Sequence, residues 1–408
     1  MKSVERHITD ILGLVRPLPP IELDLLRAQG AVLAEDVTAP VALPPFDNSA
    51  MDGYAVVAAD VAGASGTAPV RLPVAGDIAA GDTGAHAVRS GYCARIMTGA
   101  PMPAGADAVV PVEWTDGGRA EVSVHRPAAA GNAVRRAGGD VREGDTVLRA
   151  GARLGAAELG VLASVGRRTA PVRPRPRVAV LSTGEELVEP GKPLAPGQIW
   201  ESNGYMLTAA AIAAGCDGHR HSFVGDEPAA VLDAIDDVLM QADIVVTTGG
   251  VSMGAYDPVK EALSGLGTVR FEQVAMQPGK PQGYGTVGED ATPIITLPGN
   301  PVSAFVSFYV LLLPALHRMQ GVAPDPLPTV SARLAAPVSS PPGRRSYLRV
   351  RLEEDPGADG GPRAVPASRQ ASHQLSALAD ADGLAVVPED AESLPEGTEV
   401  AVLRLPRP

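Results

Sequence analysis

Aromatic residues are scarce in this chain of 408 residues: phenylalanine, tyrosine and tryptophan together make up 3%. Its cores must therefore be built from Ala, Val, Leu and Ile. Cysteine is nearly absent. Cys93 and Cys216 form no motif, which argues against a disulfide framework or a zinc site and fits a reducing, cytoplasmic setting. Positive charge is in deficit, with a formal net charge of -13. That argues against nonspecific nucleic-acid binding, and it makes any anionic substrate dependent on a local basic pocket or a bridging cation. Long hydrophobic runs are missing too. The most apolar one, 306–316, is too short to span a bilayer and contains Pro314, so no membrane association is expected. The start of the chain reads as an amphipathic helix over 1–15 rather than a signal peptide, with Val4, Ile8, Ile11, Leu12 and Val15 at helical spacing. No internal repeat is found.

Glycine and proline are plentiful, at 45 and 39, and predict many turns and short strands. The length allows about two to four domains. A second helical pattern covers 21–33, with Leu23, Leu26 and Leu33 available for a core. FDNSAMDGYAV follows at 46–56, where Asp52-Gly53 is a turn signal before a strand. From 70 to 147, short β runs at 70–74, 92–97, 108–112 and 121–124 leave no room for a normal helix. This module carries MTGAPMPAGAD (97–107) and RRAGGDVREGD (135–145). A helix at 156–165 then returns. Helices on both sides of a β module predict a helical unit with that module inserted into it.

From 178 the pattern alternates strand and helix. Strands are expected at 178–181, 219–224, 244–248, 269–274 and 294–297, with helices at 203–214, 228–240, 258–266 and 302–313. Such alternation implies a mostly parallel sheet covered on both faces. Beyond 324 the pattern is β again, at 329–334, 347–352, 384–387 and 399–403, and predicts a small barrel.

Three loops leave strand ends as STGEEL (182–187), TTGGVSMGAYD (247–257) and LPGNPVSAF (297–305). Ligands of open α/β sheets bind beyond the carboxyl ends of the strands. Glycines there let backbone approach closely, and helix N-termini favour anions. Glu185, Glu186, Asp226 and Asp257 punctuate the same rim. Each alone reads as a cap or a solvated group. Together with phosphate-type loops they call for a divalent cation, Mg²⁺. Lys280, between Gly279 and Pro281, adds a point charge on a stiff loop. No Ser-His-Asp or Cys-His arrangement is required, so His7, His219, His221 and His317 read as bystanders.

FDNSAMDGYAV, MTGAPMPAGADAVV, LSTGEEL, TTGGVSMGAYD, QPGKP and LPGNPVSAF occur in the order found in molybdopterin molybdenumtransferases. The chain resembles the MoeA-type, gephyrin E-domain-like family over nearly its whole length. The resemblance implies a multidomain α/β and β fold. Its parts are a discontinuous helical domain (1–40 and 141–173), an inserted β domain (41–140), a MoaB/MogA-like α/β molybdopterin-binding domain (174–324) and a C-terminal β barrel (325–408). It implies a homodimer that takes adenylylated molybdopterin and molybdate, releases AMP with Mg²⁺ assisting, and makes transient contact with a molybdopterin adenylyltransferase and with molybdoenzymes.

Carried over by motif, Asp52, Thr98 and Asp140 would complete the site from the inserted domain, facing the α/β domain of the other subunit. Glu186, Asp226 and Asp257 would be its polar, metal-associated residues. Ser182, Thr183 and Gly184 would form one phosphate-side loop and Gly249, Gly250 and Ser252 another. Lys280, Pro298 and Pro301 would form the remaining wall, and Arg344 and Ser372 the molybdate side. One departure stands out: many members have a lysine before PGKP, where this chain has Gln277. Arg344, Arg345 and Arg349 are the nearby basic candidates to replace its charge. Two other functions stay open on the residues: an adenylyltransferase acting on molybdopterin and ATP, and a non-enzymatic scaffold like part of gephyrin's role.

Overall fold

The computed structural model describes all residues except 222–224, 226, 252–256, 326, 355–360, 369 and 407–408. The chain divides into two units. The larger comprises Met1–Ile21, Gly30–Ala34 and Pro171–Pro408, the smaller Glu22–Gln29 and Glu35–Ala170.

The larger unit begins with α1 (Val4–Leu14), whose first turn is capped by Ser3 accepting from the Arg6 N–H. Then follow β1 (Arg177–Ser182), β2 (Leu187–Val188), β3 (Ile199–Trp200), α2 (Asn203–Ala213), β4 (Asp217–Arg220), α3 (Pro228–Leu239) and β5 (Ile244–Thr248). After these come α4 (Pro258–Ser264), β6 (Val269–Gln273), β7 (Met276–Gln277), β8 (Pro281–Val287) and β9 (Thr292–Leu297). The main sheet has the order β4-β1-β5-β9-β8-β6. β4, β1, β5 and β9 are parallel, whereas β8 and β6 join antiparallel.

Side chains alternate across this sheet, and both faces are buried. Val178, Val180, Ile244, Val246, Ile295 and Leu297 point into one core with α1 and α2. Ala179, Leu181, Val245 and Ile294 point into the other with α3 and α4. A strand buried on both sides reads as a continuous apolar run, as 244–248 does.

α5 (Pro301–Met319) lies in the first of these cores. It is 19 residues long, and 83% of its most apolar window is buried. The helix is therefore longer than the apolar run suggested: by length and composition it could cross a membrane, but it is a core helix of this fold. A π turn at Phe308–Leu312 widens it just before Pro314, whose missing N–H could not continue the ordinary ladder.

Beyond α5, β10 (Thr329–Leu334), β11 (Arg345–Glu353), β12 (Arg363–Pro366), β13 (Gly383–Val387) and β14 (Glu399–Arg404) close into a five-stranded ring. Ala332, Leu334, Val350, Ala364, Ala385, Val400 and Val402 fill it. β7 pairs alongside β11, which fixes Gln277 opposite Ser346.

The smaller unit is built on a five-stranded sheet ordered Ala108–Pro111, Gly53–Val56, Cys93–Ile96, Val70–Ile78 and Glu121–Val124. It too buries both faces, with Tyr54, Val56 and Val110 on one side and Ala55, Ile96 and Val109 on the other. Cys93 and Cys216 are buried thiols, and Cys216 Sγ accepts from Gln320 Nε2 at 3.5 Å.

The helix expected over 21–33 does not form. Ile21–Asp24 is a strand, the backbone then turns back on Asp24, and Leu26 is 85% exposed. Gly30 at φ 76° and the Pro19-Pro20 pair at the start favour turns over a helix, and the leucine spacing was coincidental.

Candidate active site

β1, β5 and β9 are adjacent and in register, so that Ser182 lies beside Thr248 and Thr248 beside Leu297. Their three loops therefore leave the sheet side by side. They wall a crevice of about 830 Å³. Ser182, Thr183, Gly184, Glu186, Gly249, Gly250, Asp257, Pro298 and Pro301 all line it, which brings these predicted residues together. Asp226 and Ser252 lie outside the described residues.

The glycines are dictated by crowding. A Cβ on Gly249, at φ 97°, would sit 2.7 Å from the Thr183 carbonyl oxygen. On Gly299 it would come within 3.3 Å of the Gly249 Cα, so the second and third loops touch backbone to backbone. Larger residues would force the loops apart.

Sequence reasoning missed two residues that hold the crevice together. Asn203 donates its amide to Thr248 Oγ1 at 3.0 Å and to the Gly299 carbonyl at 2.7 Å. Thr248 Oγ1 in turn donates to the Pro298 carbonyl at 3.1 Å. Glu201, 2% exposed, accepts from Ser182 Oγ at 2.9 Å and from the Gly204 N–H at 2.6 Å. Its other oxygen lies 3.7 Å from Arg220 Nη1. A carboxyl group this buried needs such partners. The signal was the polar run Glu201-Ser202-Asn203 at the start of α2, where side chains bond the free N–H groups of the first turn, as Glu201 does for Gly204.

The helix starts around the crevice offer an anion less than their number suggests. The Gly204 N–H is held by Glu201, the Lys260 N–H by the Gly250 carbonyl, and the Val302 N–H by the Ser372 carbonyl at 3.1 Å. Among the described lining residues there is no lysine or arginine, while Glu186, Glu201 and Asp257 contribute carboxylates. The Thr183 Oγ1 and Asn203 Oδ1 atoms are buried with no hydrogen-bond partner among the described residues. These are hard oxygen donors beside a space for a ligand, which suits Mg²⁺ and a phosphate-bearing molecule. Among the described residues no group of three or more His, Cys, Asp or Glu gathers at metal-binding distance.

The barrel supplies the far wall. Asn300 Nδ2 donates to Ser372 Oγ at 3.2 Å, and His373 lines the crevice. Arg349, 1% exposed, donates to the carbonyls of Ala371 and Gln374 and so fixes this loop. Of the other basic candidates, Arg345 is bound by Glu5 and Glu389. Arg344 Nη1 donates to Gln277 Oε1 at 3.2 Å. Lys280 and Arg344 are not on the crevice wall, although Pro281 is.

In the smaller unit the structure joins three motifs. The Gly99 N–H donates to the Ser49 carbonyl at 2.8 Å, the Ala50 N–H to Ala133 at 2.8 Å, and Arg136 pairs with Asp47 at 2.6 Å. Asp52 Oδ1 accepts from the Thr98 N–H at 2.7 Å and from Thr98 Oγ1 at 2.8 Å. The Thr98 N–H, then its hydroxyl, hold the Asp52 carboxyl below the usual carboxylate range. Asp140 is exposed and, among the described residues, bonds to neither side chain.

Comparison with known proteins agrees with this architecture. Residues 2–166 match the MoeA N-terminal region (domain I and II), 179–318 a probable molybdopterin binding domain, and 331–405 the MoeA C-terminal region (domain IV). Molybdopterin molybdenumtransferase 2 of Mycobacterium tuberculosis is 46% identical over 98% of this chain and 99% of its own length. Molybdopterin molybdenumtransferase of Nostoc is 36% identical over the whole of this chain and 94% of its own. The solved structure of the molybdopterin biosynthesis MoeA protein from Pyrococcus horikoshii superposes with a TM-score of 0.84 at 34% identity, covering 99% of both chains. The chain belongs to the MoeA family of molybdopterin molybdenumtransferases.

Proposed function

We propose that this enzyme inserts molybdenum from molybdate into adenylylated molybdopterin and releases AMP, in molybdenum cofactor biosynthesis. The observation that carries the reading is the glycine-lined, carboxylate-bearing crevice at the ends of β1, β5 and β9, in a chain with full-length likeness to molybdenumtransferases.

The substrate brings several negative charges to a wall that already holds Glu186 and Asp257. Like charges this close are costly to bring together out of water. Glu186 and Asp257, with Asp226, would hold Mg²⁺, which when bound neutralises phosphate charge. Gly249, Gly250 and Ser252 would let the phosphates approach backbone, as would Ser182, Thr183 and Gly184 on the neighbouring loop. Pro298 and Pro301 stiffen the third loop. Glu201 and Asn203 keep the three loops in register, so that the anhydride is oriented before it is cleaved.

Lys280, Arg344 and Ser372 are assigned to molybdate, with the Gln277 amide holding the Arg344 guanidinium in place of a second cation. The working form is a homodimer in the cytoplasm. Asp52, Thr98 and Asp140 are assigned to the site of the partner subunit, where an Asp52 carboxylate kept ionised by Thr98 would orient a polar group of the substrate.

The experiment is incubation of the purified protein with adenylylated molybdopterin, molybdate and Mg²⁺, following AMP. Molybdate-dependent AMP release is expected. Formation of adenylylated pterin from molybdopterin and ATP would instead make the protein an adenylyltransferase.

A further inference from the structure

Tryptophan occurs twice in this chain, at 114 and 200. Trp200 stands on the wall of the crevice, yet it is 53% exposed. A half-exposed aromatic ring on the wall of a cleft is available to whatever binds there. The ring is not loosely held. Its Nε1 donates to the Lys192 carbonyl at 2.9 Å. Its backbone lies in β3, opposite Val188 of β2, and the next residue is the buried Glu201. The segment between β2 and β3 is tied down as well, because Glu189 accepts from Tyr205 Oη at 2.6 Å and pairs with Arg220. Ile199, on the same wall, is also 53% exposed. The result is an oriented aromatic plane with an apolar neighbour, beside the glycine loops proposed above to hold the phosphates.

We propose that Trp200 is the platform on which the planar heteroaromatic ring of the ligand stacks. Aromatic side chains bind such rings through their π faces, with little dependence on which ring it is. The proposal rests on the nucleotide-bearing pterin ligand of the preceding section and adds the residue that recognises its ring. That ring is either the purine of the AMP half or the pterin, and the two share a flat, nitrogen-rich π system.

The test uses the full-length protein and calorimetric titration with AMP, ribose 5-phosphate and pterin-6-carboxylate. In Trp200→Ala, affinity for the stacked ring falls roughly tenfold, affinity for ribose 5-phosphate is unchanged, and Trp200→Phe restores most of the loss. Whichever of AMP and pterin-6-carboxylate weakens identifies the half of the ligand that stacks. In a Trp114→Phe chain, where Trp200 is the sole tryptophan, that ligand quenches fluorescence and ribose 5-phosphate does not.

If wild type binds AMP or the pterin and Trp200→Ala binds both equally well, the stacking inference is wrong while the functional reading stands. If wild type binds neither ring and releases no AMP from adenylylated molybdopterin, both fail together.

Discussion

Asp257 stands at the start of α4, 7% exposed, with its carboxylate on the crevice wall. Its backbone carbonyl accepts from the Glu261 N–H, a bond that survives loss of the side chain. Asp257→Ala is therefore expected to fold and to lose at least on the order of 100-fold in AMP release, the scale seen when a charge-stabilising group is removed from an active site. Wild-type turnover by a folded variant would remove Asp257 from the mechanism. Gln277 gives a second test at this scale. Arg344 donates to its amide oxygen, so Gln277→Lys would replace an acceptor with a second cation beside a guanidinium. The molybdate concentration for half-maximal insertion should rise several-fold and, because both positions are partly buried, added salt should reduce the rise only modestly. An unchanged requirement would mean that position 277 does not serve the anion.

At the scale of elements, α1 carries a buried histidine. His7 is 0% exposed and edge-on to Tyr284. Burial, then the nearby Lys2 ammonium, lower its pKa to about 4. The folded chain keeps His7 neutral while the unfolded chain takes up a proton below about 6.5, so stability should fall as pH drops from 6.5 to 4 and this loss should level off below that. The full effect is on the order of 3 kcal/mol. Melting temperatures of wild type and His7→Phe across this window check it: the variant should lose less. Asp10, lowered by its bond to Lys2, titrates below this range.

The same scale shows what the sequence made legible. The strand at 244–248 was readable because a buried parallel strand is a continuous apolar run bounded by polar and glycine signals. β8 was not, because PQGYGTV looks like a loop. Its glycines are there because a Cβ on Gly283 would sit 2.1 Å from Thr296 Oγ1 and one on Gly285 2.3 Å from the Thr268 carbonyl. Only the neighbouring strands reveal that need. In the same way, Glu201 and Asn203 take their importance from partners that lie up to 96 residues away in the chain. The glycine loops were legible because glycines at a strand end are themselves a local signal, although the crowding at Gly249 and Gly299 comes from the neighbouring loops.

At the scale of the whole molecule, the proposed function draws on two separate clusters, the crevice with Glu186 and Asp257 and the pair Asp52 and Thr98. If homodimerisation completes each site from two subunits, a mixture of Asp52→Ala and Asp257→Ala chains should recover part of the activity that each lacks alone, through heterodimers with one intact site. Subunit exchange without recovery would place both residues in service of sites within one chain or outside catalysis. The proposed function is tested most directly by a single assay on the wild-type protein, with adenylylated molybdopterin and Mg²⁺ present and molybdate added or withheld. Molybdenum insertion predicts stoichiometric AMP release and molybdenum retained on the pterin only when molybdate is added. AMP release that ignores molybdate, or none with a folded protein, would contradict it.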